Sequence, residues 1–148
     1  MGKTRRRGKT GWLWFVGLSA LLAGCSAAPG AIAESERQGG LPSEAITATP
    51  SPATPSPLYP FATAGWLDAG AKFAMVLSGS SSCPAYPASL EVLDAHHLKL
   101  GLDTRGGPNC TADLVPRTYV IRTPAGVDVS REVTLEFGDT TVALPALP

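Results

Sequence analysis

Between Lys72 and Leu144 the apolar residues recur at alternate positions, in short runs broken by Pro, Gly and Asp. A period of two identifies extended strands, because successive side chains project from opposite faces. Leu98-Lys99-Leu100-Gly101-Leu102-Asp103 and Val133-Thr134-Leu135-Glu136-Phe137 alternate cleanly, so each has one buried and one wet face. Lys72-Phe73-Ala74-Met75-Val76-Leu77 is apolar on both faces, as a central strand covered on two sides would be. Glu91-Val92-Leu93 precedes a turn at Asp94-Ala95-His96, and Thr118-Tyr119-Val120-Ile121-Arg122 is rich in β-formers. Gly138-Asp139 or Asp139-Thr140 turns the chain into Thr141-Val142-Ala143-Leu144. A helical turn opening at Asp68 is opposed by Gly70, and no segment here keeps a helical period for ten residues. The expectation is an all-β fold over residues 58–148: a small antiparallel β-sandwich of immunoglobulin-like kind, stapled by one disulfide.

Upstream the character changes. Residues 26–57 are mostly Ala, Gly, Ser, Thr and Pro with few charges, and Thr49-Pro50-Ser51-Pro52 returns as Thr54-Pro55-Ser56-Pro57. Such a stretch lacks the apolar area that offsets the entropy of ordering. Residues 25–57 therefore read as a disordered linker, and at about 3.1 Å per residue in polyproline geometry it would reach roughly 100 Å. Thr and Ser among prolines also invite glycosylation, although an unmodified spacer is the simpler reading.

The first ten residues carry Lys3, Arg5, Arg6, Arg7 and Lys9 with no acid, and Gly11 to Ala23 carry no charge. A basic leader followed by an apolar run too short to span a bilayer is a secretory signal pattern. Arg5-Arg6-Arg7 is more simply part of that leader than a twin-arginine signal, since Gly8-Lys9-Thr10 follows in place of apolar residues. Leu22-Ala23-Gly24-Cys25 then resembles the lipobox of bacterial prolipoproteins. The resemblance implies that residues 1–24 are a signal peptide and that Leu22, Ala23 and Gly24 form the signal-peptidase recognition site. It further implies that Cys25 is acylated and holds the protein at the extracytoplasmic face of the cell membrane. Two or more chains are needed for stable anchoring.

With Cys25 assigned to lipid, Cys83 and Cys110 remain, and an even pair in an oxidising compartment reads as a disulfide. The competing reading, two free thiols or half a metal site, lacks a Cys-x-x-Cys spacing and a full ligand set. The net charge of zero includes the leader: all twelve acids follow Cys25 but only seven of the twelve cations do, so the mature chain is at minus five. No basic stripe suits nucleic acid, and no juxtamembrane polybasic segment adds to the lipid.

Few residues carry recognisable chemistry. His96 and His97 are adjacent, so a regular strand aims them at opposite faces, and solvent-exposed turn histidines are expected rather than metal ligands. Ser80-Ser81-Ser82 lacks the Gly-x-Ser-x-Gly elbow of a nucleophile and reads as a polar loop entering a cystine. Asp103-Thr104-Arg105-Gly106-Gly107-Pro108-Asn109 fits neither a Walker nor a dinucleotide pattern. Asn109-Cys110-Thr111 matches a glycosylation sequon formally, but its centre is a half-cystine and the lipobox is bacterial. Asp113 and Asp128 are turn-forming acids that would serve a hydrolase only if held within about 5–10 Å of each other. Trp66, Phe73, Tyr119 and Phe137 read as core, with Trp66 or Tyr86 the candidates for an exposed sugar-stacking platform.

Ser80-Ser81-Ser82-Cys83-Pro84, Cys110-Thr111-Ala112-Asp113, Pro124-Ala125-Gly126-Val127-Asp128 and Val133-Thr134-Leu135 are together similar to small uncharacterised lipoprotein domains of actinobacterial type, over residues 66–137. That resemblance implies fold and location, and no activity. The functional expectation is a membrane-anchored envelope lipoprotein without cofactor, a non-catalytic binding or structural module for an envelope protein or glycan. The alternative is a small envelope hydrolase using dispersed carboxylates.

Overall fold

The alternating segments become strands in a computed structural model that describes residues 32–48 and 61–148. The leader, the lipobox, Cys25 and the Thr-Pro-Ser-Pro repeat lie outside the described residues. In chain order the strands are β1 (Ser35–Gln38), β2 (Ile46–Thr47), β3 (Thr63–Leu67), β4 (Lys72–Gly79), β5 (Ala85–Asp94), β6 (His97–Thr104), β7 (Val115–Arg122), β8 (Val133–Phe137) and β9 (Thr140–Leu144). One sheet has the order β1-β7-β4-β3-β2 and the other β5-β6-β8-β9. Their inner faces close on each other as the sandwich that the strand pattern predicts.

The first sheet contributes Trp66, Phe73, Met75, Leu77, Tyr119 and Ile121 to the core, and the second contributes Leu98, Leu100, Val133, Leu135, Phe137 and Leu144. These are the alternate positions of each strand, so the period of two is read out directly as burial. Trp66 and Phe73 meet edge to face with ring centroids 6.2 Å apart. The Trp66 indole Nε1 donates to the Pro145 carbonyl at 2.7 Å, which ties the C-terminal segment to the first sheet.

Two strand connections depart from simple expectation. β6 and β8 run parallel, pairing Leu98 with Leu135, in a sheet whose other pairs are antiparallel. A parallel pair needs a crossover, and β7 in the facing sheet supplies it. Alternation specifies which face of a strand is apolar and carries no information on strand direction. At the β3–β4 connection, Asp68 (φ 48°), Ala69 (φ 51°) and Gly70 (φ 88°) are all left-handed. The chain therefore makes a short 3-10 turn there in place of the helix weighed from the sequence.

The linker expected over residues 25–57 is corrected in part. β1 pairs with β7 (Glu36 opposite Tyr119), and β2 pairs with β3 (Ile46 opposite Trp66). Because β1 and β2 lie at opposite edges of one sheet, the segment between them must cross that sheet. It crosses the outer face: the Thr118 hydroxyl donates toward the Gly39 and Gly40 carbonyls, both at 2.8 Å. At Gly65, a side chain would meet Thr47 Cγ2 at 3.0 Å and Ala45 Cβ at 3.1 Å. Under this strap Ala74, Val76 and Thr118 are buried, on the side of β4 and β7 opposite the core. The two-sided burial predicted for β4 is present, and its outer cover comes from a segment whose few apolar residues are Leu41, Pro42 and Ala45.

Candidate functional site

One end of the sandwich gathers most of the polar residues singled out in the sequence. The β4–β5 and β6–β7 loops meet there and are joined by the Cys83–Cys110 disulfide, with an S–S distance of 2.05 Å. Both loops link one sheet to the other, so the disulfide pins the two crossings together. Gly106 has φ +120°, and a Cβ there would lie 2.4 Å from the Ser82 carbonyl oxygen. That glycine serves close loop-to-loop approach, and nothing more is needed to explain the Gly-Gly pair's first member.

Beside the disulfide, Thr111 Oγ1 lies 2.9 Å from Ser80 Oγ, 3.1 Å from Ser81 Oγ and 3.2 Å from Ser82 Oγ. Thr111 donates to Asp113 Oδ1 at 2.5 Å, and the Ser81 amide donates to the same oxygen at 2.9 Å. The Ser81 side chain, the Thr111 hydroxyl and the Ser81 amide hold the Asp113 carboxyl down at a pKa of about 2. Such donation favours the charged form. These bonds tie the β4–β5 loop to the β6–β7 loop through the Asp113 carboxylate.

Under the loops lies an ionic group that sequence reading misses. Glu36 of β1 accepts from Arg117 Nη1 at 2.8 Å and from Arg105 Nη2 at 2.5 Å. The Arg105 guanidinium stacks 4.5 Å above the Tyr86 ring, and Arg117 also reaches the Ser81 carbonyl at 3.4 Å. Tyr119, fully buried, donates its hydroxyl to the Ala85 carbonyl at 2.7 Å. Burial, reinforced by Glu36, pushes its pKa up to about 12. The one advance signal was the alternation Glu34-Ser35-Glu36-Arg37, which stands out in a stretch poor in charge. Glu34 repeats the pattern, accepting from Arg122 at 2.6 Å and lying 3.7 Å from Lys72.

The histidines sit at the opposite end. His96 and His97 lie at the β5–β6 turn, so the ten residues of β5 separate them from Ser82, about 30 Å of strand. They diverge: His96 Nε2 is 3.3 Å from Asp128 and His97 Nε2 is 3.0 Å from Glu136. Both side chains are about one-third exposed, His96 in the turn and His97 at the start of β6, and each faces a carboxylate that the sequence did not reveal. Asp128 takes bonds from the Ser130 hydroxyl and amide and from His96, which lower its pKa. Among the described residues no group of three or more His, Cys, Asp and Glu is placed to hold a metal.

The two acids weighed for hydrolysis are not brought together. Asp113 precedes the start of β7 and Asp128 follows its end, so a whole eight-residue strand, roughly 23 Å, lies between them. Trp66, Phe73, Tyr119 and Phe137 are core as expected, and with Trp66 0% and Tyr86 6% exposed neither of these two forms an exposed stacking platform. Comparison with protein-family models, curated proteins and solved structures finds no match for this chain. The likeness of residues 66–137 to small lipoprotein domains therefore stands on its motifs alone.

Proposed function

We propose that the chain is a bacterial lipoprotein, anchored at the extracytoplasmic face of the cell membrane through lipid on Cys25. Its β-sandwich acts there as a non-catalytic binding or structural module. The observation that carries the anchoring is the distribution of cysteines. Cys83 and Cys110 are joined to each other, which leaves Cys25 as the third cysteine, placed directly behind Leu22-Ala23-Gly24 and the apolar leader. A disulfide also fits an exported protein, since such bonds persist in oxidising compartments. The non-catalytic reading is supported by the way Ser80–Ser82, Thr111 and Asp113 use their hydrogen bonds on one another, with the imidazoles at the far end of β5.

The test uses the full chain and its Cys25→Ser variant expressed in a bacterial host. The parent is expected to partition into detergent and to carry the mass of acyl groups on a chain starting at Cys25, while the variant stays aqueous. Equal partitioning of the two would end the anchoring claim. The same parent is incubated with envelope extract for affinity capture and with a panel of ester, amide and glycoside substrates. Capture of an envelope protein or glycan without turnover is the expected result. Turnover that disappears in Asp113→Asn would replace the binding module with the hydrolase.

A further inference from the structure

The place at which the chain joins the fold sets how far the domain can stand from its anchor. Residues 26–57 as a free spacer would allow roughly 100 Å. The spacer ends much earlier than Pro57. The Ile32 amide donates to the Pro87 carbonyl at 3.2 Å, and the Glu34 amide donates to the Val120 carbonyl at 2.8 Å. From Ser35 the chain is β1, paired residue by residue with β7. Glu34 and Glu36 reinforce that pairing through Arg122, Arg105 and Arg117. Ile32 is thus held to the second sheet and Glu34 to the first, on the side where β1 and β5 form the two sheet edges.

We propose that the domain works against the membrane surface rather than on a stalk. The inference rests on the reading of Cys25 as lipidated. From Cys25 to Ile32 is a step of seven residues, which cannot exceed about 25 Å even fully extended. The edge of the domain that carries Ile32 is therefore held within about 25 Å of the lipid. The Thr-Pro-Ser-Pro repeat falls between β2 and β3, two strands that pair with each other. It therefore lies beyond the point at which the chain joins the fold and adds nothing to the reach of the anchor.

Energy transfer to the bilayer tests this. The acylated full chain, carrying a donor dye on Glu91→Cys, is incorporated into phosphatidylcholine vesicles with an acceptor on the headgroups. Glu91 is exposed on β5, four residues or about 13 Å beyond Pro87. A second preparation carries the dye on Thr141→Cys of β9, so that a folding defect in one variant does not decide the outcome. Each is compared with a version bearing about 30 Gly/Ser residues after Ala27, an insertion that adds about 30 Å of mean reach. The parent is expected to transfer at least twofold more than the lengthened chain at both positions. Vesicle flotation is scored on the same samples. Protein that floats with no more transfer than the lengthened chain would overturn the proximity proposal and leave the lipid anchor standing. Protein that fails to float, as Cys25→Ser should, would overturn both.

Discussion

Asp113 is exposed to solvent and still strongly acidic, because Ser81 and Thr111 donate to its carboxylate. Its pKa in the fold, about 2, lies below the 3.8 of a free aspartate. The charged form is therefore favoured by folding, and the stabilisation is complete above about pH 4 and disappears as pH falls toward 2. Asp113→Asn is expected to flatten that part of the acid profile while leaving the slope above pH 5 unchanged. Melting temperatures of parent and variant between pH 2 and 6 measure it, and parallel curves would show that the donors do not act on Asp113. Trp66 offers a different residue-scale readout. After cleavage before Cys25 it would be the single tryptophan, and it is fully buried. Truncation to Ala should cost about 3–5 kcal/mol, the usual penalty for removing a large buried aromatic.

At the scale of elements, the strap from Gly39 to Ala45 is the most informative part of the fold. Its apolar residues are Leu41, Pro42 and Ala45, all partly buried, and polar contacts to Thr118 add to them. Thr118 is 0% exposed, and its hydroxyl is the donor that holds the Gly39 and Gly40 carbonyls. Thr118→Val keeps the shape and removes the donor from both carbonyls. A loss of about 1–2 kcal/mol is expected, measured by urea unfolding. Trypsin reads the same event locally. Arg37 sits in β1 and donates to the Gly40 carbonyl at 2.9 Å, so cleavage after it should be slow in the parent and at least several-fold faster in Thr118→Val. Equal cleavage rates would mean that the strap is held by something other than Thr118.

For the whole molecule, the Cys83–Cys110 bond closes a separation of 27 residues and joins two crossings between the sheets. Constraining a loop of that size in the unfolded chain is worth roughly 3–4 kcal/mol on the chain-entropy account. The double variant Cys83→Ala, Cys110→Ala should be destabilised by about that amount, with reductant lowering the parent to the same midpoint. A parent insensitive to reductant and equal to the variant would show that the loops hold themselves. The bond locks only one end of the sandwich. The other is closed by hydrogen bonds from the Asp128 amide to the Ala95 carbonyl and from the Thr134 amide to the His96 carbonyl, at 2.9 and 2.8 Å.

The positions of β1, β2, β3 and the first half of β5 were not determined by the sequence alone, whereas the all-β class, the positions of β4, β6, β7, β8 and β9, the β5–β6 and β8–β9 turns and the pairing of Cys83 with Cys110 were. Each rests on a local pattern or a count: the alternation of Leu98–Asp103, turn residues between strands, two cysteines left over. The parallel β6–β8 pair, the carboxylate partners of His96 and His97, and the burial of Tyr86 depend on what lies opposite in space. No local period encodes that. The same holds for residues 32–47, which are low in hydrophobicity and therefore read as linker. A segment of that kind gains little by folding alone. It is ordered here because the sheet offers it an open edge at β7, another at β3, two arginines for Glu36 and a buried hydroxyl at Thr118. The two arginines and Thr118 come from parts of the chain about 70–80 residues away, and even the edge at β3 lies about 20 residues on, so only the tertiary structure could decide that the strap belongs to the domain.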